Sequence, residues 1–151
     1  MNCPFCPPLA ELTTFAETPC FRALYNIAPV LPGHSLVVPK EHIRSMLGLN
    51  ENLLYEMVVF SRKIVQVLMK AFSCQSFDWT IQDGTEAGQT IEHLHLHIIP
   101  RHSNDLAAPG DWYPAMLQNE TAIIDSALRQ KINQAEMVKI VSFLKETYIK
   151  L

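Results

Sequence analysis

The sequence predicts a single α+β domain with a mostly antiparallel sheet, and three patterns support that prediction. Two short segments rich in strand-forming residues flank a turn that contains proline and glycine, as expected of antiparallel neighbours. A long apolar-periodic segment, typical of a helix, separates them from two further strand-like segments, so strands and helices do not alternate regularly. The chain has 151 residues, which is enough for one domain (1–151) with a substantial core.

The first part of the chain predicts a lead-in and two paired strands. Residues 1–11 contain three prolines and are expected to be irregular. Residues 20–26 predict a strand, and A-P-V-L-P-G at 28–33 predicts a turn in which Gly33 takes a positive φ. Residues 34–39 predict the strand that pairs back antiparallel.

The middle of the chain predicts a helix, a strand and a loop. Apolar residues recur at spacings of three and four from 50 to 72, with Asn50 as the N-cap. The segment F-D-W-T-I-Q at 77–82 predicts a strand, and the glycine-containing segment 83–89 predicts a loop.

The last part of the chain predicts one more strand and a helical end. The segment 89–101 predicts a strand that ends at Pro100, and 101–114 predicts a loop. Residues 115–151 are expected to be a helical C-terminal region. Its last helix is predicted to start at Asn133, because a glutamate follows three residues later as in a capping box, and to end near Tyr148.

The composition argues against several classes of partner. The net charge is −3 and there is no basic run, so binding of nucleic acid or of an anionic membrane surface is not expected. No apolar run approaches the roughly 18–20 residues of a membrane span, and the N-terminus does not resemble a secretion signal. A cytoplasmic location is therefore predicted, in which the four cysteines are thiols or metal ligands rather than disulfides.

Three of the six histidines stand at alternate positions in the segment 89–101: His93, His95 and His97. In a strand these side chains share one face, while the intervening aliphatic residues share the other face and enter the core. One metal ion could bind two neighbours of such a row but hardly all three. The row suits an extended anion such as a chain of phosphates, and an imidazole can also attack phosphorus as a nucleophile. The alternative is a solvated polar face of an edge strand.

The segment H-L-H-L-H-I-I resembles the signature of the histidine triad superfamily. Three further segments, N-I-A-P-V-L-P-G-H-S-L-V-V-P, Q-D-G-T-E-A-G-Q-T and P-R, are similar to that family in order and spacing from about Phe15 to Arg101. The second and third look most like the fragile-histidine-triad branch of dinucleoside polyphosphate hydrolases. The resemblance implies a five-stranded antiparallel sheet with two main helices.

The activity implied by the resemblance is cleavage at the α-phosphate of a dinucleoside polyphosphate, of the diadenosine tetraphosphate or triphosphate type. The middle histidine of the family motif falls on His95, which would attack phosphorus and form a nucleotidyl-histidine that water then hydrolyses. His97 would hold α-phosphate oxygens, His93 would orient its neighbours, and Gln82 matches a glutamine on the phosphate chain. Phosphoramidase or nucleotidyltransferase activity, or a nucleotide-binding module with residual hydrolysis, remains open.

The residues that the resemblance places on the substrate come from the strand ends and from the loop before the triad. They are Asn26, which matches a ribose-binding asparagine, and Gln82, Gly88, Gln89, Thr90, Ile91 and His97. Polar residues are also common beside turns and at strand ends, so each position taken alone is ambiguous. His34 also recurs in the family but follows a turn glycine, and a structural role is expected for it.

The segment C-P-F-C supplies Cys3 and Cys6, a pair that can bind zinc, act in redox chemistry, or do neither. The prolines after Cys6 disfavour the helix that a redox pair requires. Some members of the superfamily bind structural zinc with such a pair and two histidines, which fall here on His42 and His93. A frayed, metal-free terminus is the alternative. No organic cofactor is expected, and a divalent cation bound with the polyphosphate is compatible with the reaction.

The predicted partners are an adenosine-containing nucleotide and a second copy of the chain. Helix 50–72 is apolar around much of its circumference, so it requires two packing partners. One partner is its own sheet. The resemblance implies that the other is the same helix of a second chain, which gives a homodimer.

Overall fold

The computed structural model describes residues 3–117 and 129–151, and within these residues it forms one antiparallel sheet with its two long helices on one face. The strands are β1 (Thr14–Glu17), β2 (Phe21–Tyr25), β3 (Ser35–Pro39), β4 (Ser76–Ile81) and β5 (Leu96–Arg101). The helices are α1 (Glu51–Phe72), α2 (Trp112–Leu117) and α3 (Gln134–Ile149). The sheet order is β1-β2-β3-β5-β4, which confirms the predicted α+β fold with five antiparallel strands and two main helices.

The predicted pairing of β2 with β3 is confirmed, with Leu24 opposite Leu36. Gly33, in the turn between them, has a φ of +90°, as its position in the sequence predicts. A Cβ at Gly33 would lie 2.6 Å from a side-chain carbon of Pro100, so this glycine also permits a close approach to β5. The turn therefore fixes β3 against the strand that carries part of the triad.

The two long helices begin where their caps predict. The side chain of Asn50 accepts a hydrogen bond from the backbone N–H of Leu53 at 2.9 Å, and that of Asn133 does the same for Glu136. Apolar side chains of α1 and α3 pack together with one face of the sheet to form the main core. That core contains Leu94, Leu96 and Ile98, the aliphatic residues between and after the histidines.

The opposite face of the sheet carries a second, smaller core. Residues 3–10, here called the N-terminal cover, lie over β2 and β3. The buried side chains of this core are Cys3, Phe5, Ala10, Leu24, Leu36 and Val38. The triad histidines and the cover share this side of the sheet, so the fold places the candidate site between them.

Three details of the sequence prediction are wrong. The histidine strand begins only at Leu96, because the backbone before it bonds elsewhere: His93 N–H donates to the carbonyl of Ile91 at 2.7 Å. The strand ends at Arg101, one residue beyond Pro100. The sequence prediction also missed β1, a strand of four residues. The predicted loop 101–114 is too long, since α2 starts at Trp112.

The helical C-terminal region predicted for 115–151 is seen in part. The end of α2 and all of α3 lie within it, residues 129–133 are not helical, and residues 118–128 lie outside the described residues. Within the described ranges, no helix has both the length and the hydropathy that a membrane span requires.

Candidate active site and metal centre

The backbone sets the orientation of the His95 ring. Nδ1 of His95 lies 2.7 Å from the carbonyl oxygen of His93. A carbonyl can only accept, so Nδ1 carries the proton and donates it, and Nε2 is the unprotonated nitrogen of the neutral ring. The irregular backbone at His93, which the strand prediction missed, therefore presents His95 in the tautomer that a nucleophile requires.

A second imidazole, His34, sets the tautomer of His97. The backbone N–H of Val30 donates to Nδ1 of His34 at 3.2 Å, so the proton of His34 is on Nε2. Nε2 of His34 then donates to Nδ1 of His97 at 2.9 Å. The proton of His97 is consequently on Nε2, which is buried and has no hydrogen-bond partner among the described residues. This N–H is a donor that an anionic ligand can use.

Both members of this pair are neutral at physiological pH. Burial, followed by the charge of Arg129, lowers the pKa of His34 to about 3. Burial, followed by the neighbouring His34, holds the pKa of His97 well below its usual value. Because His97 is neutral, only one of its ring nitrogens carries a proton. The order of donors and acceptors from Val30 through His34 to His97 therefore stays fixed.

The two catalytic candidates line a cavity of about 330 Å³ beneath the N-terminal cover. Asn26, the polar residue predicted to hold the ribose, also lines this cavity. Its side-chain oxygen accepts a hydrogen bond from Ala28 N–H at 2.9 Å. Most of the remaining wall is apolar; it includes Pro4, Phe5, Leu9, Leu24, Leu36 and Ile91. An apolar cavity of this size with a few convergent polar groups suits a nucleoside.

Four residues predicted to bind the phosphates lie outside the cavity that His95 and His97 line. Gln89 is tied into its own loop, since its side chain accepts from Gly84 N–H and donates to the carbonyl of Arg44. Gly88 has a positive φ of 93°, and its N–H donates to the carbonyl of Thr85. Thr90 is exposed, and Gln82 is buried just after β4; none of these four residues lines the cavity.

The four predicted metal ligands form one cluster. Ligand atoms of Cys3, Cys6, His42 and His93 all lie within 4.8 Å of one another. Three sulfur-to-Nδ1 distances are 3.4, 3.5 and 3.6 Å. A tetrahedral zinc ion with bonds of about 2.3 Å to sulfur and about 2.0–2.1 Å to nitrogen separates sulfur from nitrogen by about 3.5 Å, so this group can hold a metal.

His93 belongs to both sites. Its Nε2 lies 2.9 Å from the carbonyl oxygen of Pro39 and donates to it, which leaves Nδ1 unprotonated toward the cysteines. Burial lowers the pKa of His93 to about 4, so the ring is neutral as a metal ligand must be. Its carbonyl at the same time holds His95.

Sequence reasoning missed three residues around the site. A structural role was predicted for His34 because it follows a turn glycine, and its contact with His97, 63 residues away in sequence, has no signal in the local pattern. No role was predicted for Phe5, which lies between the two cysteines, yet its ring centroid lies 5.1 Å from that of His95. Lys131 lines the cavity and has no motif of its own.

Comparison with known proteins identifies the family. Residues 10–104 match the HIT domain family, to which this chain belongs. The chain is 38% identical over 106 residues to the asymmetrical bis(5'-nucleosyl)-tetraphosphatase of Schizosaccharomyces pombe, covering 70% of this chain and 58% of that protein. It is 40% identical over 91 residues to the bis(5'-adenosyl)-triphosphatase of Dictyostelium discoideum, covering 60% and 61% of the two chains.

A solved structure supports the fold. A Zn-bound histidine triad family protein from Mycobacterium smegmatis superposes with a TM-score of 0.73 at 21% identity, covering 99% of this chain and 95% of that one. The predicted resemblance to the histidine triad superfamily is confirmed by the family match over residues 10–104. The chain spans about three fifths of the length of the two curated relatives, 58% and 61%.

Proposed function

We propose that this chain hydrolyses dinucleoside polyphosphates through a covalent nucleotidyl-histidine. The observation that carries the proposal is the pairing of an oriented His95 with the neutral donor His97 at one nucleoside-sized cavity. The two relatives named as a tetraphosphatase and a triphosphatase support the substrate class. The same arrangement could hold a phosphoramidate, so the leaving group is the point to test.

The chemistry follows from the two tautomers. Nε2 of His95 forms a bond to the α-phosphorus while the bond to the bridging oxygen breaks, and the leaving nucleoside polyphosphate takes the electron pair. The Nε2–H of His97 donates to a phosphate oxygen as charge develops there. Water then attacks phosphorus and releases a nucleoside monophosphate and the His95 ring. Asn26 would hold the ribose, while Gln82 and the loop with Gly88, Gln89 and Thr90 would face the outer phosphates.

A substrate panel tests this proposal. We expect purified protein to convert diadenosine triphosphate or tetraphosphate to AMP plus ADP or ATP faster than it hydrolyses adenosine 5'-phosphoramidate or a sugar nucleotide. The reason is that a dinucleotide fills the apolar cavity and also reaches the loop before the triad. Chromatography of the products gives the rates, and His95→Asn protein serves as the control for contaminating hydrolases. Faster cleavage of the phosphoramidate would favour the alternative activity.

We further propose that the metal is structural zinc. The spacing of the cluster and the two thiol ligands favour zinc, and the Mycobacterium smegmatis relative in fold is Zn-bound. Four protein ligands close the coordination shell, so the ion would stabilise the N-terminal cover and fix His93 without touching the substrate.

Zinc binding has a measurable consequence. Protein purified without chelator is expected to contain about one zinc per chain, and Cys3→Ser with Cys6→Ser is expected to lose it and to melt at a lower temperature. Cys74→Ser, which removes a buried thiol outside the cluster, is the control for the loss of a sulfur atom. Metal analysis and thermal melts measure both effects. A metal-free native protein with normal stability would contradict the proposal.

We also propose a homodimer that uses α1 and the edge strand β4. Large apolar side chains are exposed on α1 and in the short 3-10 turn Met46–Gly48 before it; Leu47 is 91% and Tyr55 73% exposed. Val58 and Val59 are half exposed on α1, and Phe77 is partly exposed on β4. An edge strand next to apolar surface favours pairing with a second sheet.

Light scattering tests the dimer. We expect about twice the mass of 17.1 kDa at micromolar concentration, and Val58→Glu with Val59→Glu should give monomers because the charges would be buried at the interface. Val138→Glu, at a half-exposed valine on α3, is the matched control. A wild-type mass of one chain would contradict the dimer.

The cytoplasmic location and the absence of nucleic-acid partners remain predictions.

A further inference from the structure

One short segment, the N-terminal cover, contributes to both the metal cluster and the nucleoside cavity. Cys3 and Cys6 supply the two sulfur ligands. Pro4, Phe5 and Leu9, which lie between and after them, line the cavity. Anything that moves the cysteines therefore moves one wall of the cavity.

The cover has few other attachments to the rest of the fold. Among the described residues, the backbone hydrogen bonds of residues 3–9 connect only to partners within residues 3–11. Their side-chain hydrogen bonds to other parts of the chain are the sulfur contacts of Cys3 and Cys6 with His42 and His93. Thiols are weak hydrogen-bonding groups, so without a metal the cover is held mainly by the packing of Phe5 and a few small side chains.

The inner surface of the cover faces the reacting group. Phe5 is buried, and its ring contacts His93 with centroids 5.8 Å apart and His95 with centroids 5.1 Å apart. A flat apolar ring at this place can pack against a nucleoside base that enters the cavity. A bound nucleoside would then hold Phe5 from one side, while the metal holds the flanking cysteines from the other.

We propose that metal binding and nucleotide binding are thermodynamically linked through the N-terminal cover, with Phe5 as the residue that joins them. The identity of the ligand rests on the proposed function. The metal orders the cover and so completes the wall before the nucleotide arrives, and the nucleotide in turn keeps the cysteines in place for the metal. Linkage is reciprocal, so each ligand strengthens the other by the same factor.

A second route between the sites exists and makes a different prediction. His93 is a metal ligand and its carbonyl orients His95, so the metal could act on the nucleophile alone. That route changes the rate of the chemical step and leaves the affinity for AMP unchanged. Phe5→Ala separates the two routes, because it removes the wall and leaves all four metal ligands and the His93 carbonyl in place.

The experiment uses AMP as the probe and measures binding, not turnover. AMP affinity is measured by calorimetry on zinc-loaded and chelator-stripped protein, with circular dichroism to follow the fold. Zinc affinity is measured by equilibrium competition with a chromophoric chelator, with and without saturating AMP. Each measurement is repeated on Phe5→Ala and on Phe143→Ala, a half-exposed phenylalanine of α3 that serves as the matched control.

We expect zinc to strengthen AMP binding about tenfold and AMP to strengthen zinc binding by the same factor, within the usual range of coupling between sites. Phe5→Ala should reduce both factors to about one, and Phe143→Ala should leave them unchanged. If the stripped protein unfolds, AMP raises zinc affinity through global folding alone, and that effect persists in Phe5→Ala; loss of the coupling in Phe5→Ala, with retention in Phe143→Ala, then decides the matter.

Three outcomes would overturn the proposal, and they are distinguishable. Equal AMP affinity with and without zinc, together with unchanged zinc affinity in the presence of AMP, removes the linkage and leaves the proposed function intact. A zinc-loaded wild-type protein that does not bind AMP contradicts the proposed function itself. A coupling that persists in Phe5→Ala assigns it to another contact and overturns the role of the cover.

Discussion

His95→Asn is expected to abolish turnover while the fold and nucleotide binding are retained. Asparagine keeps a polar side chain whose amide can still donate near the His93 carbonyl, but it has no lone pair that can attack phosphorus. His97→Asn should differ in kind, because it removes a donor to phosphate and leaves the nucleophile. Its rate should fall by about 10² to 10³, the usual loss for one electrostatic contact in a transition state.

Mass spectrometry of protein quenched without acid during turnover makes this test sharp. The wild type should carry one added nucleoside monophosphate, and His95→Asn should carry none. His102→Asn, at an exposed histidine outside the triad, is the matched control and should behave as the wild type. If both triad variants lose similar partial activity and the wild type forms no adduct, water attacks directly and the covalent mechanism is wrong.

The fold was largely predictable because its strongest elements are locally encoded. Helix α1 begins at its asparagine cap and ends at Phe72, as the apolar period indicates, and Gly33 takes the positive φ that its turn requires. β1 was not predicted because it has only four residues and pairs with β2 through an irregular register. A strand that short has too few alternations to be recognised from pattern alone.

The candidate site was predictable in composition but not in geometry. Alternation of histidine with leucine predicts one continuous strand, yet only His97 lies in β5. The backbone before Leu96 makes long-range contacts instead, since Leu94 N–H donates to the carbonyl of Ile43. Such a contact depends on a segment far away in sequence, so the periodicity of the local segment cannot reveal it.

The consequence of that geometry is a division of labour among the histidines that the alternating pattern conceals. His93 turns toward the cysteines, His95 is held by a backbone carbonyl, and His97 is held by His34. Each ring nitrogen that acts is thus defined by the hydrogen bond at the other nitrogen of the same ring. In the proposed function, a triad of equivalent side chains becomes one metal ligand, one nucleophile and one donor.

The role of His34 can be measured through His97. His34→Met removes the donor to Nδ1 of His97 and places an apolar side chain of similar length in the same fully buried position. Without that donor, His97 can place its proton on Nδ1 and present a lone pair to the phosphate oxygen, so we expect kcat to fall by about 10² to 10³. AMP affinity should change little, because the apolar walls of the cavity are intact.

His34→Gln distinguishes this positioning role from simple packing. The glutamine amide has an N–H₂ group that reaches about as far as the Nε2 of histidine and can donate to His97. The kcat of His34→Gln should therefore be at least about tenfold higher than that of His34→Met. Single-turnover rates, AMP binding and thermal melts measured on both variants separate catalysis from stability. If the two variants lose the same activity in proportion to their loss of stability, His34 only fills space, and the tautomer of His97 is set by something other than its contact with His34.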